Sequence, residues 1–145
     1  KWHTSDELAF ATNAPEEPTR ADPIPLVSLK DTQVAIIYAY PGAPGTLVEA
    51  AIAAGVQGLV VEAMGSGNVG VEMGRALGAA LDRGIPVVIT TRVPRGEVSG
   101  KYGGAGGGAT LAAKGAVGST YFRAGQARVL LAAAIASGVS PFTLF

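Results

Sequence analysis

The residues best placed to do chemistry lie in a short turn, Gly65-Ser66-Gly67-Asn68, between an apolar run and a stretch of helical periodicity. Glycine lets a backbone approach a ligand closely, and the first turn of a helix offers unpaired N–H groups to an anion. The carboxamide of Asn68 could donate to a carboxylate or orient an ammonium group. We therefore predict Ser66, Gly67 and Asn68 as the ligand-binding residues.

Two other interpretations of this turn stay open. Residues 65–70 fit the G-x-G-x-x-G pattern of dinucleotide-binding loops. The next strand, however, ends in Thr90-Thr91-Arg92 and supplies no carboxylate for a ribose diol, although Arg92 could suit a 2′-phosphate. Alternatively, the glycines only allow a tight strand-to-helix turn, and Asn68 only caps the helix.

The sequence offers no nucleophile beside a base. The single histidine, His3, stands near the start of the chain, away from any serine or acid constellation, so it predicts neither a triad nor a metal centre. The absence of cysteine excludes disulfides, zinc thiolates and thiol catalysis. Residues 96–102 lack the spacing and the Ser or Thr of a phosphate loop. We expect no catalytic residue, metal or cofactor in this chain.

Charge and hydropathy narrow the partners. Eleven Lys and Arg balance eleven Asp and Glu, which leaves no excess charge to neutralise nucleic-acid phosphates or anionic lipid. No apolar run approaches the roughly 20 residues that span a bilayer. We expect a soluble protein without nucleic-acid or membrane partners, cytoplasmic or periplasmic, its compartment not determined by the sequence.

The apolar pattern predicts alternating strands and helices. Helical spacing predicts helices over about 47–54, 70–83 and 127–137, each ended by a glycine. Near-continuous apolar runs between them are typical of strands buried on both faces. These runs are residues 33–40, 58–63, 85–90 and 115–118. The expected fold is α/β, a small doubly wound, flavodoxin- or Rossmann-like sandwich with a four-stranded parallel sheet.

Two segments depart from this alternation. Residues 1–31 are rich in proline and charge without sustained periodicity, so we predict a linker or arm there and a domain over 32–145. Residues 94–114 form an irregular stretch with a run of glycines at 103–108. Because ordering glycine is entropically expensive, this stretch is either mobile or held by a partner.

An ordered series of motifs resembles bacterial L-asparaginases over about residues 32–137. The series comprises Tyr38-Ala39-Tyr40-Pro41-Gly42, residues 55–62, Gly65-Ser66-Gly67-Asn68, residues 84–88, Arg92-Val93-Pro94 and residues 126–131. The resemblance implies the C-terminal domain of a two-domain amidohydrolase that hydrolyses L-asparagine to L-aspartate and ammonia, with L-glutamine as a second candidate substrate. It also implies that residues 1–31 join this domain to an N-terminal catalytic domain holding a threonine nucleophile.

The resemblance further implies a homo-oligomer, a dimer of intimate dimers, in which Asn68 reaches the substrate of a neighbouring subunit. Many members add a glutamate from the loop after the Arg-Val-Pro strand. Here that loop is glycine-rich, and Glu97, although nearby, is not assigned that role. The family's threonine motifs are missing from this chain, so we expect it to be inactive alone.

Overall fold

The computed structural model describes residues 23–25 and 27–145. Most of the predicted arm at 1–31, including His3, lies outside the described residues. The described residues form a parallel sheet of four strands, in the order β1-β2-β3-β4. The strands are β1 (Val34–Tyr38), β2 (Gly58–Ala63), β3 (Val87–Thr91) and β4 (Val117–Gly118).

Helices connect the strands and cover both faces of the sheet, which confirms the predicted α/β class. They are α1 (Thr46–Ala53), α2 (Val71–Asp82), α3 (Gly108–Ala113) and α4 (Ala124–Ser137), followed by a 3₁₀ turn at Pro141–Thr143. Because the strands follow one another in chain order, crossovers of one hand place α1, α2 and α3 on the same face. The terminal helix α4 covers the opposite face.

The core accordingly consists of two layers separated by the sheet. One layer joins Val48 of α1, Met73 and Leu77 of α2 and Leu111 of α3 to the sheet residues Ile37, Leu59, Val61, Val87 and Ile89. The other joins Ala127 and Leu131 of α4 to Val34, Val60, Val88 and Val117. The alternation of side chains along each strand sends neighbouring residues into different layers, and this explains the near-continuous apolar runs.

Glycines end the helices where the sequence predicts. Gly55, Gly84 and Gly138 follow the last turns of α1, α2 and α4 with φ of 84°, 78° and 69°. Residues with a side chain rarely adopt this left-handed backbone conformation, so glycine is favoured there.

Three strands are shorter than predicted. β1 comprises residues 34–38 rather than 33–40. β3 begins at Val87 rather than at residue 85, because Ile85 N donates to Ala80 O in the turn that follows the last residue of α2. β4 comprises two residues rather than four, since Ala116 N donates in the same way to Leu111 O. Close packing of the preceding helix end against the start of the strand therefore shortens both β3 and β4.

The glycine-rich stretch packs within its own domain, whereas its composition predicted a stretch that is either mobile or held by a partner. Its last residues form α3, a helix absent from the sequence prediction. Its earlier residues pack on the start of α2, where Val69 N donates to Gly106 O at 2.9 Å. Among the described residues, no helix is long and apolar enough to cross a membrane.

Candidate functional site

The predicted turn lies at the carboxyl edge of the sheet, between β2 and α2. Met64 and Asn68 form an isolated antiparallel bridge, with N···O distances of 2.8 and 2.9 Å in the two directions. Gly67 N also donates to Met64 O at 3.1 Å. Gly65 and Gly67 have φ of 52° and 117°, a backbone that disfavours side chains. We call residues 64–69 the corner.

Three neighbouring segments hold the corner from outside. The Thr91 hydroxyl at the end of β3 donates to Gly65 O, and Ser99 N donates to Ser66 O at 2.9 Å. The glycine-rich segment (residues 102–108) supplies the Gly106 carbonyl to Val69 N. The corner is thus attached to β3, to the following loop and to the glycine-rich segment, and its backbone is fixed at successive positions.

Asn68 is half-buried, and its carboxamide is bound within the chain on one side. Its Oδ1 accepts a hydrogen bond from Gly108 N, the first residue of α3, at 3.3 Å. Asn68 therefore caps α3 rather than α2, the helix that directly follows Asn68 in the sequence. The N-cap of α2 is Gly70, and no side chain of the described residues caps it. Asn68 Nδ2 has no hydrogen-bond acceptor in the described part of the chain.

Glycines allow the glycine-rich segment to lie against the corner. A Cβ at Gly106 would stand 2.2 Å from Val69 O, and one at Gly107 would stand 2.2 Å from Tyr102 O. On the α2 side, a Cβ at Gly74 would stand 2.1 Å from Ala105 O. These separations are far below the contact distance of carbon and oxygen, so only glycine permits this backbone-on-backbone packing.

A small cleft of about 50 Å³ opens beside the corner. Ser66 and Gly67 line it on one side, and apolar or small residues of β3, β4, α3 and the preceding loop complete it. These are Ile89, Val98, Gly100, Gly108, Ala112, Ala116 and Gly118. The cleft is too small for a nucleotide, and its lining offers few polar groups for specific recognition.

The other predicted residues lie as follows. Ser66 is half-buried and Gly67 is buried, and both line the cleft beside the corner. Glu97 is exposed, and the residues after it, Val98 and Ser99, contact the corner. Arg92 donates to the Tyr38 hydroxyl at 3.1 Å and lies 5.6 Å from the centre of that ring. The structure thus pairs Arg92 with β1 rather than with the corner.

The described residues contain no group of three or more His, Cys, Asp or Glu side chains that could hold a metal ion. The backbone of the corner is also poorly suited to an anion. The N–H groups of Gly67, Asn68 and Val69 all donate to carbonyls of the chain itself. A phosphate-binding loop needs such groups free, so this geometry disfavours the dinucleotide interpretation.

Three glycines that support the corner are not identified by the sequence pattern, namely Gly74, Gly106 and Gly108. A glycine in the middle of a helix costs about 1 kcal/mol relative to alanine, so Gly74 in α2 suggests a packing constraint. Its partner, however, lies 31 or 32 residues further along the chain. Nothing in the local pattern identifies that partner.

Comparison with known proteins shows which sequences this chain is similar to. Residues 33–144 match the glutaminase/asparaginase C-terminal domain. A probable L-asparaginase of Deinococcus radiodurans is 40% identical over 110 residues, covering 76% of this chain and 33% of that protein. An L-asparaginase of Bacillus licheniformis is 36% identical over 104 residues, covering 72% of this chain and 32% of its own length.

A more distant similarity involves one component of the glutamyl-tRNA(Gln) amidotransferase of Aeropyrum pernix. It is 33% identical over 69 residues, covering 48% of this chain and 16% of that protein. The chain thus spans about a third of the length of the two asparaginases it matches.

Proposed function

The chain belongs to the glutaminase/asparaginase C-terminal domain family, and on that premise we propose that it forms the C-terminal part of an L-asparaginase-type amidohydrolase. The reaction of that enzyme is L-asparagine plus water to L-aspartate plus ammonia. Both asparaginase relatives extend well beyond the matched region. Since this chain lacks a nucleophile paired with a base, the acyl-transfer chemistry belongs to an N-terminal catalytic domain.

In this proposal the corner completes the active site of a neighbouring subunit. The observation that carries it is the Asn68 amide, half-buried on a corner with a fixed backbone, with Nδ2 unused within the described chain. A fixed polar group lowers the orientational cost of bringing a substrate to a reactive centre. Asn68 therefore binds and orients, with Ser66 and Gly67 forming the adjacent wall, and it does not react.

The proposed assembly follows from the separation of the binding amide from the catalytic groups. An amide supplied in trans requires a second subunit, so we propose a homo-oligomer built from intimate dimers, with two such dimers in the complete particle. The ligands are L-asparagine and L-aspartate, with L-glutamine as a further candidate substrate. Residues 1–31 would link this domain, residues 32–145, to the catalytic domain.

Ammonia release by the protein that joins this chain to its catalytic domain tests the proposal. We expect release from L-asparagine by that protein and none by residues 1–145 alone. Replacing Asn68 by Ala should lower kcat/KM by about 10- to 100-fold, the size expected when a hydrogen bond to a charged group is lost. Absence of amidase activity on asparagine and glutamine would refute the assignment.

Gln57→Ala is the matched control for that experiment. The Gln57 amide also accepts from a backbone N–H, that of Gln33 at 2.9 Å, but it lies at the opposite, amino end of β2. Its loss should leave kcat/KM near the wild-type value. Equal losses in the two variants would show that an amide deletion acts through folding rather than through substrate contact.

A thermal-shift comparison separates this function from nucleotide binding at the same corner. Stabilisation by L-aspartate and none by NADP fits the amidohydrolase proposal, because a ligand stabilises the state that binds it. Stabilisation by NADP alone would favour a dinucleotide-binding module instead.

A further inference from the structure

The turn between β4 and α4 holds several locally unfavourable features within five residues. We call residues 119–123 the β4–α4 turn. Thr120 has φ of 54°, the only positive value among the described residues that are not glycine, and a β-branched side chain disfavours this conformation. The hydroxyl of Ser119 and Nη1 of Arg123 are both buried without a hydrogen-bond partner in the described part of the chain. Features of this kind persist only where the surrounding contacts hold them in place.

Arg123 is itself an unfavourable choice for its position. It is the N-cap of α4, where Ser, Thr, Asp or Asn would accept a backbone N–H, and a guanidinium group accepts none. Its positive charge also lies near the positive end of the helix dipole. The Arg123 N–H donates to Gln126 Oε1 at 3.0 Å, so the side chain starts from a fixed point. From there it extends to the loop after β3, residues 92–101, which we call the β3 loop.

The β4–α4 turn makes three hydrogen bonds to the backbone of the β3 loop. Arg123 Nη2 donates to Pro94 O at 3.1 Å and to Gly96 O at 3.4 Å. Thr120 O accepts from Val98 N at 3.3 Å. The β3 loop contains no helix or strand, so these bonds take the place of the regular hydrogen bonds that fix a backbone elsewhere.

The β3 loop in turn contacts the corner. Ser99 N donates to Ser66 O at 2.9 Å, and Val98 Cγ1 lies 3.0 Å from the position of a Cβ at Gly67. Val98 also lines the cleft beside Ser66 and Gly67. One short loop thus connects the turn to the corner, and a displacement of that loop changes the wall of the cleft.

We propose that Arg123 is a positioning residue, which holds the β3 loop against the corner and thereby keeps the wall of the substrate site in place. The inference rests on the proposed function, and it assigns Arg123 no contact with the substrate. A guanidinium group suits this role because Nη2 carries two N–H groups, one for each carbonyl, and because the group stays charged at any working pH. The locally unfavourable features of the β4–α4 turn are then compensated by a fixed loop at the site.

Replacement of Arg123 by Met tests the proposal in the full-length protein, the chain joined to its catalytic domain. Methionine removes the donors and keeps most of the length of the side chain. Because the nucleophile belongs to another domain in the proposed function, displacement of the corner should weaken substrate binding more than it slows the reaction. We expect KM for L-asparagine to rise by about 10-fold, with kcat lowered by less than about threefold. A purely structural role would instead lower the active fraction, and thus the apparent kcat, without changing KM. An unchanged KM would overturn the proposal.

Arg128→Met is the matched control variant. Arg128 also lies on α4 and donates to a backbone carbonyl, that of Val34 at 3.0 Å, but this carbonyl belongs to β1 and not to the β3 loop. The KM of this variant should stay near the wild-type value. Equal rises of KM in the two variants would show an effect of α4 as a whole, and Arg123 would then have no particular role.

Hydrogen–deuterium exchange, measured by mass spectrometry, tests the attachment of the loop independently of activity. In the Arg123→Met protein, amides of the peptide 93–101 should exchange about 10-fold faster, because the β3 loop loses two of its hydrogen bonds to the β4–α4 turn. The peptide 58–63, within β2, should keep its wild-type exchange rate. Unchanged exchange in the β3 loop would overturn the positioning role, as would faster exchange with an unchanged KM. Absence of amidase activity in the wild-type protein would refute the proposed function and with it the effect on KM, whereas the exchange rates would still decide whether Arg123 holds the loop.

Discussion

Replacing Gly74 and Gly78 by alanine, one at a time, should change stability in opposite directions although both residues are buried in the middle of α2. Alanine is favoured over glycine in a helix interior by about 1 kcal/mol. At position 78 the added Cβ meets only the Lys114 side chain, at 3.3 Å from Cδ. That side chain is flexible and can yield, so Gly78→Ala should stabilise the chain by about 0.5–1 kcal/mol.

At position 74 the same methyl group meets backbone. The nearest atoms are Ala105 O at 2.1 Å and the Gly106 Cα at 2.7 Å, and neither can move without the glycine-rich segment. Overpacking costs about 1–3 kcal/mol, and displacement of Gly106 also weakens its bond with Val69 N, worth about 1 kcal/mol. After the helix gain, Gly74→Ala should destabilise by about 1–3 kcal/mol.

Urea unfolding followed by far-UV circular dichroism measures both values, provided that the slope with denaturant is the same in the two variants. The difference between them should be about 1.5–4 kcal/mol, which corresponds to about 6–16 °C in Tm for a domain of this size. A Gly74→Ala protein as stable as the Gly78→Ala protein would refute the packing of the glycine-rich segment on α2.

Three further substitutions test the corner and the sheet. Gly67→Ala should lose about 1–3 kcal/mol because φ is 117° and the Cβ would lie 3.0 Å from Val98 Cγ1; an unchanged urea midpoint would contradict that backbone. Thr90→Val should lose about 1 kcal/mol, measured in the same way, since the buried hydroxyl donates to a β2 carbonyl at 3.1 Å. Ser119→Ala should instead raise the free energy of unfolding by about 1 kcal/mol, because its buried hydroxyl has no partner among the described residues; a loss of stability would imply an unseen hydrogen bond.

Much of the fold is readable from local pattern. The apolar run at 58–63 becomes β2 with the predicted bounds, because its side chains enter both core layers and its strand is covered on both faces. A glycine follows each of α1, α2 and α4, at Gly55, Gly84 and Gly138, since the left-handed turn after a helix strongly favours glycine. These features depend on neighbours a few residues away, which is the range that a sequence pattern encodes.

The helix α3 shows where local pattern fails. Its residues, Gly108–Ala113, follow a run of glycines, and its N-terminal N–H is satisfied by Asn68 rather than by a residue of its own. A short helix of low intrinsic stability forms because other parts of the chain complete it. Such a cap cannot be recognised from the sequence around the helix.

The sequence by itself determined the class of fold and the position of the corner between β2 and α2, because hydrophobic periodicity and turn glycines are local properties. The family followed from the resemblance of its ordered motifs to those of known proteins. The sequence also placed Asn68 in the turn, but it left open whether the amide caps α2, binds a ligand or does both. The tertiary structure decided that the oxygen faces Gly108 and that Nδ2 is left to donate. The reason is physical: the glycine-rich segment packs on α2 and on the corner through backbone contacts at Gly74 and Gly106, which have no side chains. Such contacts join distant residues without leaving a local pattern in the sequence.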